Sequence, residues 1–193
     1  MSVFFLGGCS ETENELGSIN NDKGELESSY KIQINHFDSE PVSKNECKLK
    51  YKDVGYSVKF VPALDFLERK GTKVEKEDLP SLEKETVVMI EFTSLNQGKR
   101  SPFDLEQCIY DKSKAIEYFA FQLEKNIMIT QNDSTYIPTG MHFERDFGVS
   151  DRLRTVAFFK GFNPLKDFQV VFKDQLFGGG NLRFVFDKNK LSL

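Results

Sequence analysis

The chain has 193 residues, of which 39% are hydrophobic and 29% are charged, a balance typical of one globular domain with an attached tail. This composition excludes a collagen-like chain, a wholly disordered chain and a polytopic membrane protein. No stretch of about 18 consecutive apolar residues occurs, so the sequence predicts no membrane-spanning helix.

The formal charge of -4 is concentrated near the N-terminus. Residues 10–29 contain six acidic residues and one basic residue, which leaves 25 basic and 24 acidic residues in the rest of the chain. A body this close to neutral lacks the broad positive surface that nucleic-acid binding requires, so we expect no nucleic-acid partner. We interpret residues 10–29 as a flexible acidic linker.

The segment 1–9 ends in the tetrapeptide Leu6-Gly7-Gly8-Cys9. This tetrapeptide resembles the lipobox of bacterial lipoproteins, and the resemblance implies cleavage before Cys9 and a lipid attached to its sulfur. A signal peptide begins with a positively charged region, followed by roughly 7–15 apolar residues. Here no Lys or Arg precedes Cys9, and the apolar run covers only residues 3–6. The interpretation therefore makes 1–9 a truncated signal peptide, either because translation starts upstream of Met1 or because the chain has been shortened. The alternative is a cytosolic protein in which Cys9 has no special role.

Two further rules of the lipoprotein family concern the residues after Cys9. Ser10 is not the Asp that retains lipoproteins in the inner membrane of enteric bacteria. The resemblance therefore implies lipid anchoring in the outer membrane. The acid-rich stretch 10–15 is also similar to the signal that directs some lipoproteins to the cell surface, although an acidic linker can simply be soluble.

From Tyr30 onward, apolar and polar residues alternate with the period of a β-strand. The segment 85–95 is apolar on both phases, which predicts a central strand buried on both faces. The predicted strands are 30–34, 47–52, 54–60, 85–95, 103–110, 141–147, 155–159, 168–172 and 182–186.

Two segments fit strands less well. Residues 62–70 open with Pro and close before Gly71, which predicts one or two helical turns. Residues 113–127 fit both periods, and their aromatic content favours a strand over 116–123. The charged segment 68–78 is expected to be a solvated loop.

The order of these strands resembles the telokin-like, immunoglobulin-type domains found in bacterial lipoproteins of unknown function. The likeness is carried by 86–93 followed by Asn96, by 138–147, and by the closing strands 156–159 and 182–186. We therefore expect an all-β fold over residues 30–193: an immunoglobulin-like antiparallel β-sandwich of about eight to nine strands with a short helical turn. Such a fold implies no activity by itself.

Two cysteines remain after Cys9. In an oxidising envelope Cys47 and Cys108 are able to form a disulfide, and the alternative is two small buried side chains. Cys47 is in phase with apolar neighbours, whereas Cys108 alternates with more polar ones, so the two can also point apart.

Catalytic motifs are not evident. The two histidines, His36 and His142, have no zinc-site spacing, and neither a nucleophile elbow nor a P-loop occurs. His142, Glu144 and Asp146 share one strand face and could bind a cation, but a solvated face with cross-strand charge pairs is favoured. We expect no enzymatic activity, no cofactor and no metal.

The leading hypothesis is a lipid-anchored envelope protein whose β-sandwich is a binding or assembly module, for example an accessory subunit of an outer-membrane complex. The alternatives are a cell-surface glycan-binding or glycan-processing lipoprotein, against which the absence of Trp weighs, and a soluble cytosolic β-sandwich protein. Phe162 and Phe177 lie in glycine-containing loops. They either contact a partner or fold back to plug the sandwich, and the plug is favoured. The oligomeric state is left open.

Overall fold

The computed structural model of the chain describes residues 39–43, 45–144 and 152–187. The chain divides into two units, residues 1–33 and 34–193, and all described residues belong to the second. The lipobox that ends at Cys9, the linker 10–29 and the strand expected at 30–34 lie outside the described residues. Among the described helices, none combines the length and apolar character needed to cross a membrane.

The described part of the chain contains ten β-strands and three α-helices. In chain order the strands are β1 (Glu40–Ser43), β2 (Glu46–Tyr51), β3 (Val54–Pro62), β4 (Glu85–Ser94), β5 (Ile127–Gln131), β6 (Ser134–Tyr136), β7 (Gly140–Glu144), β8 (Arg152–Lys160), β9 (Phe168–Asp174) and β10 (Gly180–Phe186). The helices are α1 (Ala63–Arg69), α2 (Leu79–Leu82) and α3 (Lys112–Phe121), with 3₁₀ turns at Pro102–Asp104 and Leu123–Asn126.

The strands form two antiparallel sheets. One has six strands in the order β1-β2-β3-β4-β8-β7, and the other has four in the order β10-β9-β5-β6. Apolar side chains from the facing sides of both sheets form one large buried cluster. The predicted all-β sandwich is confirmed, with ten strands described where the sequence predicts eight to nine.

Strand β4 lies at the centre of the six-stranded sheet, as its apolar sequence predicts. Val88, Ile90 and Phe92 are buried in the core between the sheets, whereas Val87 and Met89 belong to a second apolar cluster on the opposite face. The ring of Phe92 contacts four aromatic rings, with centroid distances of 5.6 Å to Tyr56, 5.1 Å to Phe119, 5.5 Å to Phe172 and 6.3 Å to Phe177. The predicted burial of this strand on both faces is therefore confirmed.

Helix α1 covers one end of the outer face of the six-stranded sheet. Pro62 precedes the helix with φ -55°, and Gly71 follows it with φ +70°, a left-handed conformation that glycine adopts readily. Ala63 is fully buried in the second cluster, and the ring of Phe66 lies 6.3 Å from that of Phe158 on β8. The helical turns predicted at 62–70 are confirmed, and they leave the other end of this sheet face uncovered.

Residues 116–123 belong to a helix and a 3₁₀ turn, so the strand predicted there is wrong. Asp111 caps α3, because its Oδ1 accepts a hydrogen bond from the backbone N–H of Lys114 at 3.0 Å. The helix buries Phe119, whose ring lies 4.5 Å from Phe143 and 5.7 Å from Phe103. These tertiary contacts outweigh the strand propensity of the aromatic residues.

The strand predicted at 103–110 is also wrong. Pro102 has no N–H to donate to a neighbouring strand, and the chain forms a 3₁₀ turn at Pro102–Asp104 instead. The hydroxyl of Ser101 accepts the backbone N–H of Phe103 at 3.3 Å and starts this turn. Phe103 and Leu105 are nevertheless buried, which explains why the sequence alternates like a strand.

A buried carboxylate organises the turn between β9 and β10. The side chain of Asp174 is 4% exposed and accepts hydrogen bonds from the backbone N–H groups of Leu176 at 3.0 Å, Phe177 at 2.9 Å and Gly179 at 2.9 Å. It also accepts the hydroxyl of Tyr56 at 2.8 Å, which ties this turn to β3 in the other sheet. Burial and then the neighbouring Asp174 raise the pKa of Tyr56, so this tyrosine stays a hydrogen-bond donor.

Candidate functional site

The uncovered end of the six-stranded sheet carries polar and charged side chains, and we call it the open face. It comprises the outward side chains of β2, β3, β4, β8 and β7 that lie beyond helix α1. The strand register places two rows of residues there, one next to the other. The first row is Lys48, Ser57, Glu91, Arg154 and Glu144, and the second is Lys50, Gly55, Thr93 and Arg152.

The first row is connected by charged hydrogen bonds. The guanidinium of Arg154 donates to Oε2 of Glu91 at 2.8 and 3.3 Å and to Oε2 of Glu144 at 3.1 Å. Lys70, directly after α1, donates to Oε1 of Glu144 at 2.8 Å. Charge-assisted bonds of this kind are shorter and stronger than neutral ones, so this network fixes both carboxylates.

The electrostatic effect of the network is visible in its titratable groups. Partial burial alone would raise the pKa of Glu144, but the hydrogen bond and charge of Lys70, with those of Arg154, lower it overall. The hydrogen bond to Glu91 raises the pKa of Arg154, which therefore stays charged. In β2, burial again opposes the shift, while Ser57 and Lys48 lower the pKa of Glu46.

A groove of about 620 Å³ lies along the second row. Gly55 contributes no side chain, and Leu95 lies over it, since a Cβ at Gly55 would be 3.3 Å from Cδ2 of Leu95. The charged residues that line the groove are the cations Lys48, Lys50 and Arg152 and the carboxylate Glu91.

The cations at this groove are held to different degrees. Arg152 lies 3.5 Å from Oε1 of Glu91, and Lys48 lies 3.4 Å from Glu46, whereas Lys50 has no carboxylate partner within the residues that the structure describes. Because Arg154 already holds Glu91, the groove presents a local excess of positive charge. Such a surface is suited to binding an anionic group.

The cluster predicted around His142 is only partly described. His142 is exposed on β7, Glu144 is held by Arg154 and Lys70, and Asp146 and His36 lie outside the described residues. The cross-strand pair of Glu144 with Arg154 agrees with the favoured interpretation of a charged strand face. Within residues 39–43, 45–144 and 152–187, no three potential ligands come together as a metal site.

Cys47 and Cys108 are present as thiols rather than as a disulfide. Cys47 is buried in β2, and its Sγ donates to the backbone carbonyl of Val185 on β10 at 3.3 Å. Cys108 is half-buried after the Pro102–Asp104 turn, and burial raises the pKa of its thiol. Cys9, the predicted lipidation site, lies outside the described residues.

The two phenylalanines considered as partner contacts are buried. Phe162 is 7% exposed and packs on Phe168 at 5.1 Å, while Phe177 is 1% exposed and packs on Tyr56 and Phe92. This placement agrees with the plug interpretation, because neither ring is available at the surface. Their burial favours the plug interpretation over the partner contact, which stays a prediction.

Sequence reasoning did not single out the residues of the open face. Lys48 and Lys50 lie in the strand predicted at 47–52, and no sequence motif marks Glu91, Arg152 or Arg154. A signal was present, because Glu91 is the only charged residue in the long apolar run 86–93, and 152 and 154 are arginines on one phase of another strand. What the sequence lacks is the pairing of these strands.

Comparison with protein-family models, with curated proteins and with solved structures found no match to this chain.

Proposed function

We propose that this chain is a lipid-anchored protein of the bacterial outer membrane whose β-sandwich binds another envelope protein. The anchor is Cys9, on the resemblance of Leu6-Gly7-Gly8-Cys9 to a lipobox. The acidic segment 10–29 is the linker between the lipid and the sandwich. As part of the same proposal, the sandwich belongs with the telokin-like, immunoglobulin-type domains of lipoproteins that its strand order resembles.

The observation that carries the binding role is the open face. Helix α1 covers one end of the outer sheet face with an apolar cluster, whereas the other end exposes the groove lined by Lys48, Lys50 and Arg152. The carboxylates that lie among these cations are tied by Arg154 and Lys70 into fixed positions. Because these carboxylates are already paired, the groove presents an excess of positive charge, which supports recognition of an anionic partner.

The anchor is tested in the bacterium that produces the protein, by labelling with an alkyne analogue of palmitate followed by membrane fractionation. We expect the wild-type chain to carry the label and to sediment with the outer membrane, since two or more acyl chains give stable anchoring. Cys9→Ala should lose the label and become soluble, while the matched variant Cys108→Ala should behave like wild type. An unmodified Cys9 thiol in the mature wild-type protein, found by mass spectrometry, would contradict the proposal and favour the cytosolic alternative.

A further inference from the structure

The groove of the open face has a charge that is not balanced by its own lining. Three cations and one carboxylate line it, and the carboxylate of Glu91 already receives two hydrogen bonds from Arg154. The ammonium of Lys50 has no carboxylate partner in the part of the chain that the structure describes. A ligand that brings carboxylates to this groove would therefore meet Lys50 without displacing an internal partner, whereas Lys48 and Arg152 each already have one carboxylate nearby, at 3.4 and 3.5 Å.

The spacing of the cations matches an extended peptide. Lys50 and Arg152 occupy one row across β2, β3, β4 and β8, so three interstrand steps separate them. At about 4.8 Å for each step, their Cα atoms are roughly 14 Å apart. In an extended chain, side chains on one face recur about every 6.6 Å, so acidic residues at positions i and i+4 span about 13 Å.

The lining of the groove disfavours a single-stranded nucleic acid. Tyr56 is the aromatic residue among the lining side chains, and it is 1% exposed. Recognition of single-stranded nucleic acid uses exposed aromatic faces on which the bases stack. The groove instead offers ammonium and guanidinium groups on either side of Leu95, which lies over Gly55.

We propose that this groove binds an extended acidic segment of a partner protein, in which Asp or Glu alternates with small residues. The inference rests on the proposed function, because it names the chemistry of the envelope partner. The carboxylates contact Lys48, Lys50 and Arg152, and the small residues between them point away from the sheet, as alternate side chains of an extended chain do.

The test uses the full 193-residue chain and a fluorescein-labelled peptide of sequence Glu-Ser-Glu-Ser-Glu-Ser-Glu, followed by fluorescence anisotropy. We expect saturable binding that weakens with added salt, and no binding of the peptide in which Gln replaces Glu. Lys50→Glu should weaken binding at least tenfold. Lys173→Glu, which makes the same charge change at an exposed position on β9, should weaken it no more than twofold.

Urea unfolding of each variant shows whether the fold is retained, and Lys50→Gln provides a second variant that removes the charge without reversing it. Equal weakening by Lys50→Glu and Lys173→Glu would overturn the proposal, because it would indicate only attraction to the overall charge. Tighter binding of a carboxylated oligosaccharide, with the same dependence on Lys50, would also overturn it in favour of a glycan ligand. The peptide assay does not involve Cys9, so failure of the anchor and failure of the groove are separate results.

Discussion

The turn held by Asp174 provides a quantitative test of the fold. Four donors converge on this carboxylate: the hydroxyl of Tyr56 and the backbone N–H groups of Leu176, Phe177 and Gly179. Asp174→Ala leaves all four without their acceptor in a buried environment. An unsatisfied buried donor costs about 1–3 kcal/mol, and we take the lower end because water can enter a surface turn. The expected loss is about 4 kcal/mol, a large part of the ~5–15 kcal/mol that stabilises a typical domain.

Two milder variants separate the contributions of individual hydrogen bonds to this loss of stability. Tyr56→Phe keeps the ring contacts with Phe92 and removes one hydrogen bond, so we expect a loss of about 1.5–3 kcal/mol. Asp174→Asn keeps one acceptor oxygen and replaces the other by an N–H₂ group. It therefore preserves part of the hydrogen bonding in the turn, and its loss of stability should be smaller than that of Asp174→Ala. Because the Tyr56 and Asp174 side chains touch, the double variant should show a coupling of about 0.5–3 kcal/mol.

The assay is urea unfolding at equilibrium, followed by the midpoint and the slope of the transition. Lys173→Ala, the exposed neighbour of Asp174 on β9, serves as the control and should stay within about 0.5 kcal/mol of wild type. An Asp174→Ala variant that loses less than about 1 kcal/mol would refute the assignment of this carboxylate as the organiser of the turn.

Three further predictions follow from packing and charge. Phe92→Ala removes a fully buried ring and should cost about 3–5 kcal/mol in urea unfolding, whereas Lys50→Ala should cost less than about 0.5 kcal/mol; equal losses would contradict the register of the six-stranded sheet. Phe177→Ser should lower the melting temperature by several degrees in calorimetry, and an unchanged value would contradict its burial. The pKa of Glu144 is lowered from its ordinary value of 4.5, so its pairing stabilises the fold above that pH and is lost as the pH falls through the folded-state pKa. Glu144→Gln should therefore flatten the decline of the urea midpoint as the pH falls below about 4.5, and a variant as steep as wild type would contradict this contribution.

The sequence predicts best where one local pattern decides the structure. The run 85–95 is apolar on both phases, and only a strand buried on both faces accommodates that pattern. The helical turns at 62–70 follow from Pro62 and Gly71, whose backbone preferences act locally. Both elements can therefore be predicted without knowing which distant residues they contact.

Segments whose structure depends on distant contacts were predicted wrongly. Residues 113–127 fit a helix and a strand equally well, and the choice is made by the burial of Phe119 against Phe92 and Phe143 together with the cap at Asp111. The sequence pattern also predicts no separate strand where β5 follows this segment. Local propensity is a weak guide when tertiary packing selects between two allowed periods.

The open face could not be predicted from the sequence because it exists only through strand pairing. Glu91 and Arg154 are 63 residues apart in the chain, and they become neighbours because β4 pairs with β8. Likewise, Lys50 and Arg152 line one groove only because β3 and β4 lie between their strands. The alternation of charges in each strand shows which phase is exposed, and the register decides which charges meet.

The central claim is that the open face is the surface that meets a partner in the envelope. It is tested most directly by placing a photo-cross-linking amino acid at Thr93, within the groove, and at Lys173, on the outer face of the other sheet, in intact cells. The account predicts that Thr93 cross-links to a segment in which acidic residues alternate with small ones, identified by mass spectrometry, and that Lys173 does not. Cross-links from Lys173 to the same partner segment, or Thr93 products that lack acidic residues, would contradict it.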